Sequence, residues 1–281
     1  MKEQIIFKSE AGKQEILSFY KKALKNVKFE YNEIYLDTSF GKTYLLEAGK
    51  ADNPIVMLFH GSCTNSAMWY ADIKTLSDAF HVFSVDILGE PGNSQPVRLG
   101  LKSNDHALWI DEIINQLKID KVMIIGNSLG AWMAQKYAVN FPEKVEKIVL
   151  IAPSGITHAK PSYIFKMIFY AMQGEKGLKK LGKMITGLDS MPDEVLVFNK
   201  LISQHFNPIM GELPIFSDDE LSNIVSPTLF MCGENDVIVD AEKSAARLEK
   251  SLENVTIHIA ENNGHIIYNS MEEILPFLSG K

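Results

Sequence analysis

Arginine occurs only twice in this chain, at Arg98 and Arg247, and the formal net charge is -7. An acidic chain with no basic tract and no aromatic-interleaved basic patch is not expected to bind nucleic acid. Cysteine is equally scarce, since Cys63 and Cys232 stand far apart and are framed by no ligand spacing. Both are expected as reduced, buried thiols rather than as a disulfide or a metal pair. No His-Glu-x-x-His or clustered Cys/His signature occurs, so no metal is expected. No apolar run approaches the ~20 residues needed to span a bilayer, and the opening "MKEQIIFKSE" lacks the apolar core of a signal peptide. The expectation is therefore a cytoplasmic protein with no membrane partner.

What the chain does have is ordinary material for a buried core, with 46% apolar and 22% charged residues. Its length allows one large domain or two small ones and cannot choose between them. Over residues 11–27, Ile16, Phe19, Tyr20, Ala23 and Val27 recur at helical spacing, which predicts an amphipathic helix. "NEIYLD" and "KTYLLEA", separated by Thr38–Gly41, predict an antiparallel hairpin.

Six short apolar runs follow: 55–60, 81–86, 121–127, 147–153, 227–233 and 255–260. Each is apolar on consecutive positions and bounded by turn residues, as expected of strands covered on both faces. Helical patterns lie between them, near 66–78, 103–118, 129–140, 241–252 and 270–279. The alternation predicts a mostly parallel eight-stranded sheet with helices on both faces. One interval breaks the rhythm. Residues 156–223 hold helical segments rich in Met, Phe and Tyr, too apolar for a solvated linker. They are expected as an inserted helical cap, with 1–155 and 224–281 forming the core domain.

Ligands of such sheets bind beyond the carboxyl ends of the strands. Just past these ends lie His60-Gly61-Ser62-Cys63, Asp86, Ser128, Glu234-Asn235-Asp236 and His265. Ser128 sits in "IIGNSLGAW", a Gly-x-Ser-x-Gly pattern between a strand and a helix. A serine hydroxyl becomes nucleophilic when an imidazole takes its proton, and the imidazole needs a carboxylate to fix its tautomer. The chain order Ser128, Asp236, His265 is that of the α/β-hydrolases. The backbone N–H groups of Leu129 and Ser62 are the candidate oxyanion donors, with Cys63 as the near alternative.

Each candidate has a plainer competitor. Ser128 could be a helix N-cap and Asp236 a turn residue, with Glu234 and Asp240 as rival acids. His265 could be a surface loop histidine, although it is the only one just past the last strand. His60 and Asp86 are expected to organise loops rather than do chemistry. "GEPGNS", residues 89–94, lacks the Gly-Lys-Ser/Thr ending of a phosphate loop and is expected as a structural turn.

The stretches "LFHGSCTNSAMW", "DILGEPGNSQPVR", "GNSLGAWMAQKYA", "LIAPSG", "MCGENDVIV" and "NNGH" together resemble the α/β-hydrolase fold family. Within it, the chain is similar to the bacterial carboxylesterase group related to naproxen esterase. The resemblance implies a serine hydrolase that cleaves small to medium apolar carboxylic esters through an acyl-enzyme on Ser128. His265 would serve as base and then acid, Asp236 as its partner, and no cofactor would be needed. Two other readings remain open. Gly-Asn-Ser elbows also occur in hydrolases that cleave carbon–carbon bonds of ring-fission products, and some hydrolase-fold proteins bind small molecules without catalysis.

Overall fold

In the computed structural model, residues 5–187, 192–209 and 212–280 are described. The chain opens with α1 (Glu10–Lys25), whose first turn is capped by Ser9 accepting the Gly12 N–H. Ile16, Tyr20 and Leu24, four residues apart, form its buried stripe. The hairpin β1 (Asn32–Thr38) and β2 (Gly41–Ala48) closes with Thr38 opposite Gly41.

Six further strands complete an eight-stranded sheet: β3 (Ile55–Phe59), β4 (His81–Val85), β5 (Val122–Asn127), β6 (Val145–Ile151), β7 (Thr228–Gly233) and β8 (Val255–Ala260). The order is β1-β2-β4-β3-β5-β6-β7-β8, with only the β1–β2 and β2–β4 pairings antiparallel. The consecutive apolar positions of the central strands are explained by burial on both faces. In β3, Met57 and Phe59 join one core while Val56 and Leu58 join the other. In β5, Ile124 and Ile125 divide the same way. The first core is completed by Trp109 and Ile110 of α3 (Asp105–Gln116), Trp132 and Tyr137 of α4 (Leu129–Asn140) and Leu248. The second takes Tyr20 and Leu24 of α1, Ile73 and Leu76 of α2 (Tyr70–Leu76), Ile274 and Leu278. The edge strand β8 departs from the expected two-sided burial. Its residues are mostly half-buried because only one neighbour and a solvated flank surround it.

Between β6 and β7 the chain forms α5 (Pro161–Ala171), α6 (Gly174–Thr186), α7 (Asp193–His205) and α8 (Asp218–Ser222). α7 lies against α1, where Ile16, Ile202 and Phe206 form a small separate cluster. Among the described residues no helix is long and apolar enough to cross a membrane. The last two helices, α9 (Ala241–Ser251) and α10 (Met271–Ser279), flank β8 in the sequence.

Candidate active site

Ser128 joins β5 to α4 in a conformation that L-residues rarely adopt, with φ 50° and ψ -105°. Such a conformation costs on the order of 1–3 kcal/mol and persists only where the surroundings enforce it. Here they do. The Ser128 N–H donates to the Ile151 carbonyl at 2.9 Å, and its carbonyl accepts the Trp132 N–H at 3.0 Å. A Cβ on Gly126 would stand 2.4 Å from the Gly130 carbonyl oxygen, and one on Gly130 would stand 2.1 Å from that of Phe59. The bend therefore packs backbone on backbone, and no side chain fits between.

The Ser128 side chain makes no capping hydrogen bond, so the ordinary reason for a serine at a helix start is absent. Among the described residues its hydroxyl has no hydrogen-bond partner, His265 included. The next N–H, of Leu129, opens α4 and has no intrahelical acceptor.

The loop after β3 lies beside the bend, since a Cβ on Gly61 would be 3.8 Å from that of Ser128. His60 is fully buried. Its Nε2 accepts the Ile87 N–H at 2.9 Å, and its Nδ1 stands 2.8 Å from the Gly61 carbonyl. A carbonyl only accepts, so the proton belongs on Nδ1 and the ring is neutral. Burial holds the His60 pKa below the usual imidazole value. His60 thus ties the loop after β3 to the loop after β4, as expected of a structural residue.

Asp86 does similar work, accepting the Tyr20 hydroxyl at 3.0 Å and the N–H groups of Ser66 at 2.9 Å and Asn93 at 2.8 Å. The turn at 89–94 carries a residue that sequence reasoning overlooked: Glu90 accepts the Cys63 N–H at 2.5 Å. Cys63 is half-buried, Cys232 is buried, and both are free thiols. Burial, reinforced by the Glu90 charge, pushes the Cys63 thiol up to about 12.

Asp236 and His265 come from the loops after β7 and β8. They meet in a buried pair, with His265 Nδ1 2.8 Å from Asp236 Oδ2. The second oxygen, Oδ1, accepts the N–H groups of Ile238 at 2.7 Å and Val239 at 3.0 Å. Burial alone would raise the Asp236 pKa. Its hydrogen bond from His265, that ring's charge and the two backbone donors more than offset this and hold it below the usual range. The rival acids are engaged elsewhere. Glu234 accepts the Asn262 N–H at 3.2 Å, and Asp240 caps α9 through the Lys243 N–H at 3.2 Å.

The helices between β6 and β7 contribute what no motif announced. Lys160 Nζ donates to the Asp236 carbonyl at 2.7 Å, and the His265 N–H donates to the Ile185 carbonyl at 2.9 Å. Tyr163 is close enough to Cys63 and Asp236 that burial first, then both their charges, raises its phenol pKa. A mostly apolar cavity of about 590 Å³ is lined by Leu129 of the elbow together with Ile87, Leu88, Leu101, His106 and Ile209 among others. Among the described residues no cluster of three His, Cys, Asp or Glu side chains could hold a metal ion.

Comparison with known proteins agrees with this architecture. Residues 54–181 match the family model described as the alpha/beta hydrolase fold. The carboxylesterase YbfK of Bacillus subtilis is 28% identical over 277 residues, covering 93% of this chain and 92% of that protein. The uncharacterized carboxylesterase nap of the same organism is 28% identical over 253 residues, covering 85% and 81%. The crystal structure of carboxylesterase CesB (YbfK) superposes with a TM-score of 0.84 at 26% identity, over 96% of this chain and 99% of that one. The chain has the α/β-hydrolase fold. In sequence it is similar to the Bacillus subtilis carboxylesterases YbfK and nap.

Proposed function

We propose that the protein is a serine carboxylesterase acting on small to medium apolar esters. The observation that carries this reading is the buried Asp236–His265 pair at 2.8 Å, on the same sheet edge at which Ser128 follows β5. With Nδ1 committed to Asp236, His265 keeps Nε2 for proton transfer. Nε2 takes the Ser128 proton as Oγ attacks the ester carbonyl. The tetrahedral oxyanion is received by the N–H groups of Ser62 and Leu129. The alcohol then leaves with the proton from His265, and water attacks the acyl-enzyme by the reverse route. Serine–histidine pairs are often loose before substrate arrives and tighten in its complex, so an uncommitted Ser128 hydroxyl is compatible with this role. The helices of 156–223 act as the cap that shapes the substrate pocket.

Asn127 is the elbow residue that lends support to carbon–carbon bond cleavage. Its amide oxygen would lie 2.8 Å from a Cβ on Gly61, so it packs against the loop that presents Ser62, a placement that serves ester hydrolysis equally. The test is a fluorophosphonate probe followed by p-nitrophenyl esters of increasing acyl length, with ring-fission-type substrates alongside. Labelling and ester turnover are expected in the wild type and neither in Ser128→Ala. Equal labelling of both would exclude Ser128, and turnover of the ring-fission compounds alone would replace the esterase reading.

A further inference from the structure

Three successive N–H groups of the loop after β3 have different fates. That of Gly61 donates to Met68 Sδ at 3.3 Å and that of Cys63 to Glu90 Oε2 at 2.5 Å. The one between them, on Ser62, has no hydrogen-bond partner among the described residues. The loop is thus tied down on both sides of a single uncommitted donor.

The Glu90 tie is unusual in its cost. The residue is 1% exposed, and its second oxygen, Oε1, is buried without a partner. Native proteins rarely leave a buried carboxylate oxygen unsatisfied without a compensating role. Cys63, the residue it holds, has φ 61°, a left-handed conformation for which its side chain gives no advantage. A turn residue chosen for ease would be glycine or asparagine. A non-glycine residue in this conformation needs support from outside, and Glu90 supplies it from the turn after β4.

We propose that Glu90 is the positioning residue of the oxyanion loop. Resting on the esterase reading, it occupies the Cys63 N–H and fixes the left-handed turn so that the Ser62 N–H alone is presented to the substrate carbonyl. This resolves the choice between Ser62 and Cys63 as second donor. Glu90 touches neither substrate nor the reacting atoms. It acts through the backbone of Cys63, and the groups facing it are Ser62 and Cys63 from one loop and Arg98 from the other.

The test compares Glu90→Ala and Glu90→Gln in p-nitrophenyl butyrate hydrolysis and in inhibition by an aryl trifluoromethyl ketone, whose adduct on Ser128 carries an oxyanion. Glu90→Ala is expected to lower kcat by about 10² with KM changed less than threefold, the size of losing one oxyanion donor. Affinity for the ketone should fall by a similar factor. The amide oxygen of Glu90→Gln can accept the Cys63 N–H, so this variant should recover kcat to within about fivefold of wild type. Glu90→Met, which fills the volume without an acceptor, replaces the alanine variant if the latter does not fold, with the same loss expected. The proposal is overturned if a folded Ala or Met variant keeps kcat within twofold, if the loss falls on KM alone, or if folded Glu90→Gln is as impaired as Glu90→Ala. A wild type that neither hydrolyses esters nor takes the fluorophosphonate label fails the esterase reading instead.

Discussion

The serine side of the candidate site and its acid–histidine side are held by different physics. At Ser128 the constraint is steric: two glycines let backbone rest on backbone, and the strained φ of 50° is fixed by main-chain contacts within the sheet core. At Asp236 and His265 the constraint is hydrogen bonding in a buried setting, and part of it comes from the helices between β6 and β7. The first side tolerates no added atom. The second depends on the hydrogen bonds to Asp236 and on the His265 N–H bond to Ile185.

The largest expected effect ignores this division, because chemistry requires both sides at once. Ser128→Ala and His265→Ala should each reduce ester turnover by about 10⁴ or more, and the double variant should be little worse than either. Additive losses in steady-state kinetics would mean that the two do not act together.

Gly130→Ala tests the steric side alone. Its Cβ would meet the Phe59 and His60 carbonyl oxygens at 2.1 and 2.7 Å, so urea unfolding should show a loss of about 3 kcal/mol or more. A variant as stable as the wild type would show that the elbow can relax.

A pH series separates the sides further. Burial, partly offset by the Cys63 N–H, Arg98 and Ser62, raises the Glu90 pKa to about 7 from an ordinary 4.5. The folded state therefore binds this proton more tightly than the unfolded chain does. The associated stability is present below about pH 4.5 and is lost as pH rises through about 7. At 1.36 kcal/mol per pKa unit, wild type should lose about 3 kcal/mol relative to Glu90→Gln across that window. Asp236 has the opposite sign. Its folded pKa is depressed, so its stabilisation is present at neutral pH and lost as acid protonates it below the usual carboxylate range. Parallel curves for wild type and Glu90→Gln from pH 4.5 to 7 would contradict the buried-carboxyl account.

The smallest effect tests the reach of the inserted helices. Lys160→Met removes one donor to the Asp236 carbonyl, and kcat should fall roughly threefold to tenfold, since a single hydrogen bond contributes about 0.5–1.5 kcal/mol. No change would mean that the pair is held well enough by its own loops.

How much of this was legible in the sequence follows the same division. Strands buried on both faces leave continuous apolar runs, so Ile55–Phe59 and Val122–Asn127 could be placed from composition alone. The order Ser128, Asp236, His265 could be read because each follows a strand end. Glu90 could not, since a carboxylate in a Gly-Pro-rich turn looks solvated and nothing local shows that the turn folds inward against Cys63. Lys160 and the Ile185 carbonyl were equally silent. One is a lysine like many others, and the other acts through a backbone atom that every residue possesses. Contacts made by main-chain groups leave no residue type behind to be recognised.

The two attachments, from Lys160 just before α5 and from Ile185 near the end of α6, bear on how this architecture can be altered. A segment that only covered the sheet edge could be exchanged between relatives as a module. This one is fastened at both ends to the loops that carry Asp236 and His265. A graft across 160–186 must reproduce the two anchor points as well as the new lining, or the transplanted helices will bring their own selectivity to a disordered pair.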